Sequence, residues 1–286
     1  MKKILIATDF SANATHAAKY GYEIASQVKA DVILCNAFIV PAEMPQAGTL
    51  VWPQFEYDEL LEDSASELKQ LKRELPQNLN DSSFRPEITC TSEVGGVADM
   101  IAEITRKTEI ELTILGTHGA GKLDTFLVGN HSRRMINDTS GPLLLVPASA
   151  AIKPVKKVAF ATDLEHPEKD LQAIYSLIPL LKKLNAELLL THIYNGDDPT
   201  YKFKQHVQQL LVELSNKANY SNIFYRIVHS NKAERGLDWL CDHGHVDILA
   251  MVHRKHDLLD KILIGSHTQK MADHIHIPLL VIPEYK

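Results

Sequence analysis

Apolar residues fall into short unbroken runs separated by amphipathic stretches. Ile4 to Thr8 is the first run, bounded by Lys2 and Lys3 on one side and Asp9 on the other. A continuous run, rather than an alternating one, is the mark of a parallel strand covered on both faces. From residue 14 to 27 the apolar positions are Ala17, Ala18, Tyr20, Gly21, Ile24 and Ala25, a helical spacing, with Ser11 placed to cap the start. Val32 to Ala37 predicts a second strand. Tyr57 to Leu75 predicts a second helix on Leu60, Leu61, Leu68, Leu71 and Leu75. Phe84 to Thr91 reads as a short strand, and Val97 to Lys107 as a helix on Val97, Met100, Ile101 and Ile104. Leu112 to Leu115 is a fourth strand, Ser132 to Asn137 falls in a fourth helix, and Leu143 to Val146 is a fifth strand. Five strands alternating with four helices predict an α/β fold with a doubly wound parallel sheet. With strand order 3-2-1-4-5, strands 1 and 4 flank the point where the order reverses. Ligands of such sheets bind there, at the carboxyl ends of the strands.

The pattern then repeats. "KKILIATDF" (Lys2 to Phe10) recurs as "KKVAFATDL" (Lys156 to Leu164), and "ADVILCNAF" (Ala30 to Phe38) as "AELLLTHIY" (Ala186 to Tyr194). "IELTILGTH" (Ile110 to His118) recurs as "VDILAMVHR" (Val246 to Arg254), and "PLLLVP" (Pro142 to Pro147) as "PLLVIP" (Pro278 to Pro283). The order is the same throughout, so the chain reads as two tandem domains, residues 1–148 and 155–286, joined by "ASAAIKPV" (Ala148 to Val155). The offset between halves falls from 154 residues at Asp9 and Asp163 to 136 at Gly129 and Gly265, so the first half carries about 18 extra residues. Pro41 to Tyr57, rich in proline, glycine and aromatics, is the expected surplus and reads as a long surface loop. The apolar fifth strands would be sheet edges, and exposed apolar edges invite pairing.

Composition narrows the function. The formal net charge is −6, which speaks against a nucleic-acid partner, since such partners call for a basic face. The apolar run after Lys2 and Lys3 ends at Asp9, too soon for a secretory leader, and no run is long enough to span a membrane. The three cysteines, Cys35, Cys90 and Cys241, form no CxxC pair. A reduced, cytoplasmic setting is the economical expectation.

"ILGTHGAGKLDTFLVGNHS" (Ile114 to Ser132) carries two overlapping phosphate-binding patterns. Gly116, Gly121 and Lys122 fit a P-loop, but Leu123 stands where the Mg²⁺-ligating Ser or Thr belongs, and Gly129 interrupts the following helix. Gly116, Gly119 and Gly129 fit G-x₂-G-x₉-G. In that reading Gly116 ends strand 4 in a tight turn, Gly119 lets backbone approach a phosphate, and Gly129-Asn130 leads into a helix whose free N–H groups bind anions. This spacing after strand 4, with "ATDFS", the "GVADMIAEI" helix and the closing "PLLLVP", resembles the ATP-binding signature of the universal stress protein family across essentially the whole chain. The resemblance implies a sheet like that of the adenine nucleotide alpha hydrolases, with ATP or AMP bound in the first half, with or without Mg²⁺. It implies that Asp9 meets the adenosine moiety and that the backbone around Ala37 meets adenine. Gly116, Gly119, Gly129, Asn130 and Ser132 would hold ribose and phosphates. The family usually has Ser or Thr where Asn130 stands; Asn still donates. The resemblance also implies that the two fifth strands meet, giving a pseudo-dimer within one chain; whether two chains then form a homodimer stays open.

At the matching place the second half has Val252 for Gly116 and Lys255 for Gly119; only Gly265-Ser266 survives. One nucleotide per chain is therefore expected. Eleven of the fourteen histidines lie after the linker. Capping and surface roles are the expectation for them, since no HExxH or cysteine-bearing metal set appears. No nucleophile elbow, Cys–His pair or working carboxylate pair is present, so catalysis beyond very slow ATP hydrolysis is not expected. The expected function is a stress-response regulator. The alternatives are a small-molecule hydrolase or nucleotidyl-transfer enzyme in the same crevice, or a nucleotide-free scaffold.

Overall fold

The computed structural model describes residues 2–39, 54–78, 83–117, 135–136, 141–162, 167–194, 201–254 and 276–284. In the first half these form β1 (Lys3–Ala7), α1 (Ala12–Val28), β2 (Asp31–Phe38), α2 (Gln54–Glu74), β3 (Ile88–Val94), α3 (Val97–Lys107), β4 (Ile110–Gly116) and β5 (Leu143–Val146). In the second half they form β6 (Lys157–Thr162), α4 (Pro167–Leu184), β7 (Glu187–Tyr194), α5 (Tyr201–Ala218), β8 (Ile223–His229), α6 (Ala233–His243), β9 (Ile248–His253) and β10 (Leu279–Pro283).

Each half has the expected strand order, and the two five-stranded sheets are one. The ten strands run β3-β2-β1-β4-β5-β10-β9-β6-β7-β8. All pairings are parallel except the central one, where β5 and β10 meet antiparallel with Leu144 opposite Leu280. Apolar edges that would otherwise be exposed thus cover each other, and Leu143, Leu144, Leu145 and Val146 are buried. Two layers of core follow. One lies under α1, α2, α4 and α5 and runs across both halves; the other lies under α3 and α6.

Two boundaries differ from the sequence reading. The third strand is Ile88–Val94, displaced toward the C-terminus from the expected Phe84 to Thr91. The reason is local: Phe84 and Pro86 are bound through their carbonyls by Ser26 Oγ and Tyr22 Oη, which hold this approach on α1 before the ladder with β2 begins. The second helix begins at Gln54, inside the stretch read as surplus loop. Of the fourth helix, only residues 135 and 136 are described, and both are helical and buried.

The linker is not a loose tether. Gln27 at the end of α1 donates through Nε2 to Val155 O (2.7 Å) and Leu184 O (2.8 Å), and its Oε1 accepts Val155 N–H (2.9 Å). Asp247 Oδ2 accepts Lys156 N–H and Lys157 N–H at 2.8 and 2.9 Å. His16 Nε2 reaches Ala150 O at 2.8 Å. Helix α1 therefore links the two halves, with its first turn over the carboxyl end of β4 and its last turn against the linker and the end of α4.

Glycine and alanine let α1 do this. A Cβ on Gly21 would lie 2.8 Å from Ile6 Cδ1 and 2.9 Å from Ile114 Cδ1. Both α1 and α4 end in a left-handed residue, Lys29 (φ 57°) and Asn185 (φ 50°). Aligned on those caps, Leu177 stands where Gly21 does, and Ile174 and Leu181 stand where Ala18 and Ala25 do. The bulkier helix keeps off the sheet: α1 packs along β4, and α4 makes no comparable contact with β9.

Candidate functional site

The first-half crevice forms where β1 and β4 part company at their carboxyl ends. Ser11 caps α1, its side chain accepting Ala14 N–H at 3.2 Å. Asp9 sits two residues earlier. It is exposed, and its Oδ1 accepts Ser11 N–H at 3.0 Å. Between them Phe10 has φ 62°, a left-handed conformation that costs a side-chain-bearing residue about 1–2 kcal/mol. Phe10 N–H is held by Thr8 Oγ1 at 3.0 Å. Such strain is characteristic of binding sites whose surroundings over-determine the backbone.

Gly116 ends β4 opposite Val146. Its role differs from the expected turn, since it is a strand residue and not among those with positive φ. What it allows is close approach: a Cβ there would lie 3.0 Å from Asn13 O, 3.1 Å from Asn13 C and 3.2 Å from Ala14 Cα. The first turn of α1 is locked to the same place by Asn13 Nδ2 donating to Thr117 O at 3.2 Å. Ala37 lies near the end of β2. The register places its main-chain N–H and C=O on the β1 side, because Cys35, two residues before, accepts Thr8 N–H at 2.9 Å. Asp9, Ala37 and Gly116 are thus gathered at one strand-end crevice. Gly119, Gly129, Asn130 and Ser132 lie outside the described residues, as do Lys122, Asp163, Lys255, Gly265 and Ser266.

The sequence reading missed a polar relay beneath this crevice. Asn36 Nδ2 donates to Thr8 O at 2.7 Å, Ser64 Oγ donates to Asn36 Oδ1 at 2.8 Å, and Ser64 and Ser92 hydroxyls are 2.8 Å apart. Asn36, Ser64 and Thr8 are buried. One signal was available: Asn36 is a polar residue inside an apolar strand, and the repeat puts His192 opposite it.

The same corner of the second half is filled from within. Val252, opposite Ile282, stands in the register position of Gly116 and is buried. Just past it Arg254 Nη2 donates to Asp170 Oδ1 at 2.7 Å, and Thr162 Oγ1 donates to the other oxygen of the same carboxylate. Arg254 is 7% exposed and Asp170 4%. Glu284, 3.6 Å from Arg254 Nε, also accepts Lys169 Nζ at 2.6 Å. Of the histidines, His192 Nδ1 meets Thr162 O at 3.0 Å, and exposed His243 stacks on Trp239 at 5.3 Å between ring centroids. His276 lies 3.6 Å from Asp242. Among the described residues no group of three or more His, Cys, Asp or Glu is placed to hold a metal ion. No described helix is long and apolar enough to cross a membrane.

Two doubly wound sheets fused edge to edge, with Gly116 at the switch point of one and buried Val252 at that of the other, define a duplicated α/β fold. The model of the universal stress protein family matches residues 1–147 and again 154–283, and the chain belongs to that family. A universal stress protein of Methanocaldococcus jannaschii is 30% identical over 147 residues, covering 51% of this chain and 81% of that one. A universal stress protein from Archaeoglobus fulgidus superposes with a TM-score of 0.72 at 16% identity, covering 99% of this chain and 98% of that one. A putative universal stress protein from Pseudomonas aeruginosa gives 0.58 at 13% identity, covering 99% of this chain and 93% of that one. At those identities the likeness of the two structures bears on the fold alone, and it extends over the full tandem arrangement.

Proposed function

We infer that the chain is a cytoplasmic, non-catalytic stress-response regulator that binds one ATP or AMP, with Mg²⁺ accompanying the phosphates, in the first half. The observation that supports this most directly is the convergence of Asp9, the Ala37 main chain and Gly116 at the switch point between β1 and β4. The Asp9 carboxylate is suited to a ribose hydroxyl and the Ala37 main chain to the edge of adenine. Gly116 lets α1 approach the site closely, and Gly119, Gly129, Asn130 and Ser132 supply the phosphate cradle. The three cysteines form no disulfide among themselves, which fits a reducing compartment. Nucleotide occupancy acts through α1, which runs from this crevice to the second half, rather than through turnover.

Calorimetric titration of the full chain with ATP and with AMP, with and without Mg²⁺, tests the reading. One site per chain is expected. Gly119→Val should abolish binding while the far-UV circular dichroism stays unchanged, and Lys122→Ala should leave binding nearly intact. Loss of binding in Lys122→Ala with binding retained in Gly129→Val would return the site to a P-loop.

A further inference from the structure

The ladder between β1 and β2 stops one rung early, and a side chain takes the place of the missing rung. Thr8 N–H donates to Cys35 O, and the next bond of a regular parallel ladder would run from Ala37 N–H to Thr8 O. That rung is not formed: the pairing ends at Ala7 opposite Cys35. The Thr8 carbonyl instead accepts the amide of Asn36, at 2.7 Å. In the second half the ladder runs one residue further, with Thr162 opposite His192, which brings Ile193 N–H onto Thr162 O. There the ring of His192 is an additional partner, at 3.0 Å.

We propose that Asn36 is the positioning residue of the nucleotide site: by satisfying the Thr8 carbonyl in place of Ala37 N–H, it keeps the Ala37 main chain off the ladder and turned to the crevice. The proposal rests on the nucleotide-binding reading above. A buried carbonyl must find a donor, so some group has to take Thr8 O. When Asn36 does, β1 ends at Ala7, the chain turns through left-handed Phe10, and Asp9 leaves the sheet at the level of Ala37. Ser64, reaching down from α2, fixes which way the amide faces. Its hydroxyl donates to Oδ1 and so leaves Nδ2 for Thr8. Ser92, opposite Asn36 on β3, holds that hydroxyl in turn. Asn36 touches no ligand in this scheme; it acts through Thr8, Asp9 and Ala37.

Two variants and two readouts test it. Asn36→Asp keeps the size and the Ser64 bond but cannot donate when ionised. Ser64→Ala leaves the amide in place without its orienting partner. Both are compared with the unsubstituted chain at a temperature where circular dichroism shows each fully folded. Asn36→Asp should bind ATP about tenfold more weakly, and Ser64→Ala about three- to fivefold. Amide hydrogen exchange without ligand is the second readout. Ala37 N–H should exchange readily in the unsubstituted chain and become protected in Asn36→Asp, as the backbone rung closes onto Thr8. A purely structural asparagine would lower the melting temperature and move neither quantity. Unchanged ATP affinity in a folded Asn36→Asp chain, with the unsubstituted chain binding normally, overturns the role of Asn36 alone. Absence of ATP binding by the unsubstituted chain overturns the nucleotide reading and this role with it.

Discussion

The Arg254 guanidinium lies 2.7 Å from the Asp170 carboxylate, both buried, at the place in the second half that corresponds to the β1–β4 switch point of the first. A charge pair out of water is held by its mutual geometry, and removing one member strands the other. Arg254→Met should therefore cost about 3–5 kcal/mol of unfolding free energy in urea. The double variant Arg254→Met with Asp170→Leu should regain most of that loss. A single variant that loses less than about 1 kcal/mol would mean the pair is solvated and not a filling of the corner.

The two halves should differ in stoichiometry and in response to substitution. Gly116→Val places side-chain carbon against Asn13 and Ala14 backbone, which cannot swing aside as a side-chain tip can. It should cost about 1–3 kcal/mol of stability and abolish nucleotide binding. The converse change, Val252→Gly, should not create a second site, because Arg254 and Asp170 still occupy the corner. Titration that returns two equivalent sites for the unsubstituted chain would contradict the asymmetry.

The clamp between the halves can be weighed separately. Gln27 makes three hydrogen bonds to the linker and the end of α4. Gln27→Leu leaves the Val155 N–H and the Val155 and Leu184 carbonyls short of a partner, at a cost of about 1–3 kcal/mol. Urea denaturation should also lose its single transition if the two halves come uncoupled, so fluorescence and circular dichroism would no longer coincide. Coincident curves with an unchanged midpoint would show the clamp to be dispensable.

Cysteine reactivity offers a check on the core layer under α3 and α6, to which both buried thiols belong. Cys35 and Cys241 are buried and Cys90 is exposed. Burial pushes the Cys241 thiol up to about 12, with Asp238 and Asp242 adding to the shift, and it pushes Cys35 higher still. A disulfide-exchange reagent at pH 8 should modify one thiol in the native chain and three after unfolding, and none in native Cys90→Ser. The unfolded thiols ionise near pH 9 while the folded ones stay protonated, so unfolding releases protons above that pH. These thiols therefore favour the folded state fully below about pH 9, and stability declines as pH rises from there toward about 12. Three fast-reacting thiols in the native chain would show that this layer opens.

The sequence by itself determined the strands, their order and the duplication, because unbroken apolar runs of four to eight residues at repeated places leave few other folds. It also showed that the end of the fourth strand differs between the halves, glycine at Gly116 and valine at Val252. What Gly116 is for was decided only by tertiary structure: the atoms it spares belong to Asn13 and Ala14, a hundred residues away, and periodicity carries no information about such an approach. The same holds for the polar relay. Asn36 in an apolar run is visible, but Thr8, Ser64 and Ser92 become its partners only when β1, β2, β3 and α2 are assembled. Asp170 and Arg254 each look like surface charges in the sequence. They become a buried pair because α4, bulky at Ile174, Leu177 and Leu181, stands away from the sheet and leaves a corner that the chain fills with its own charges.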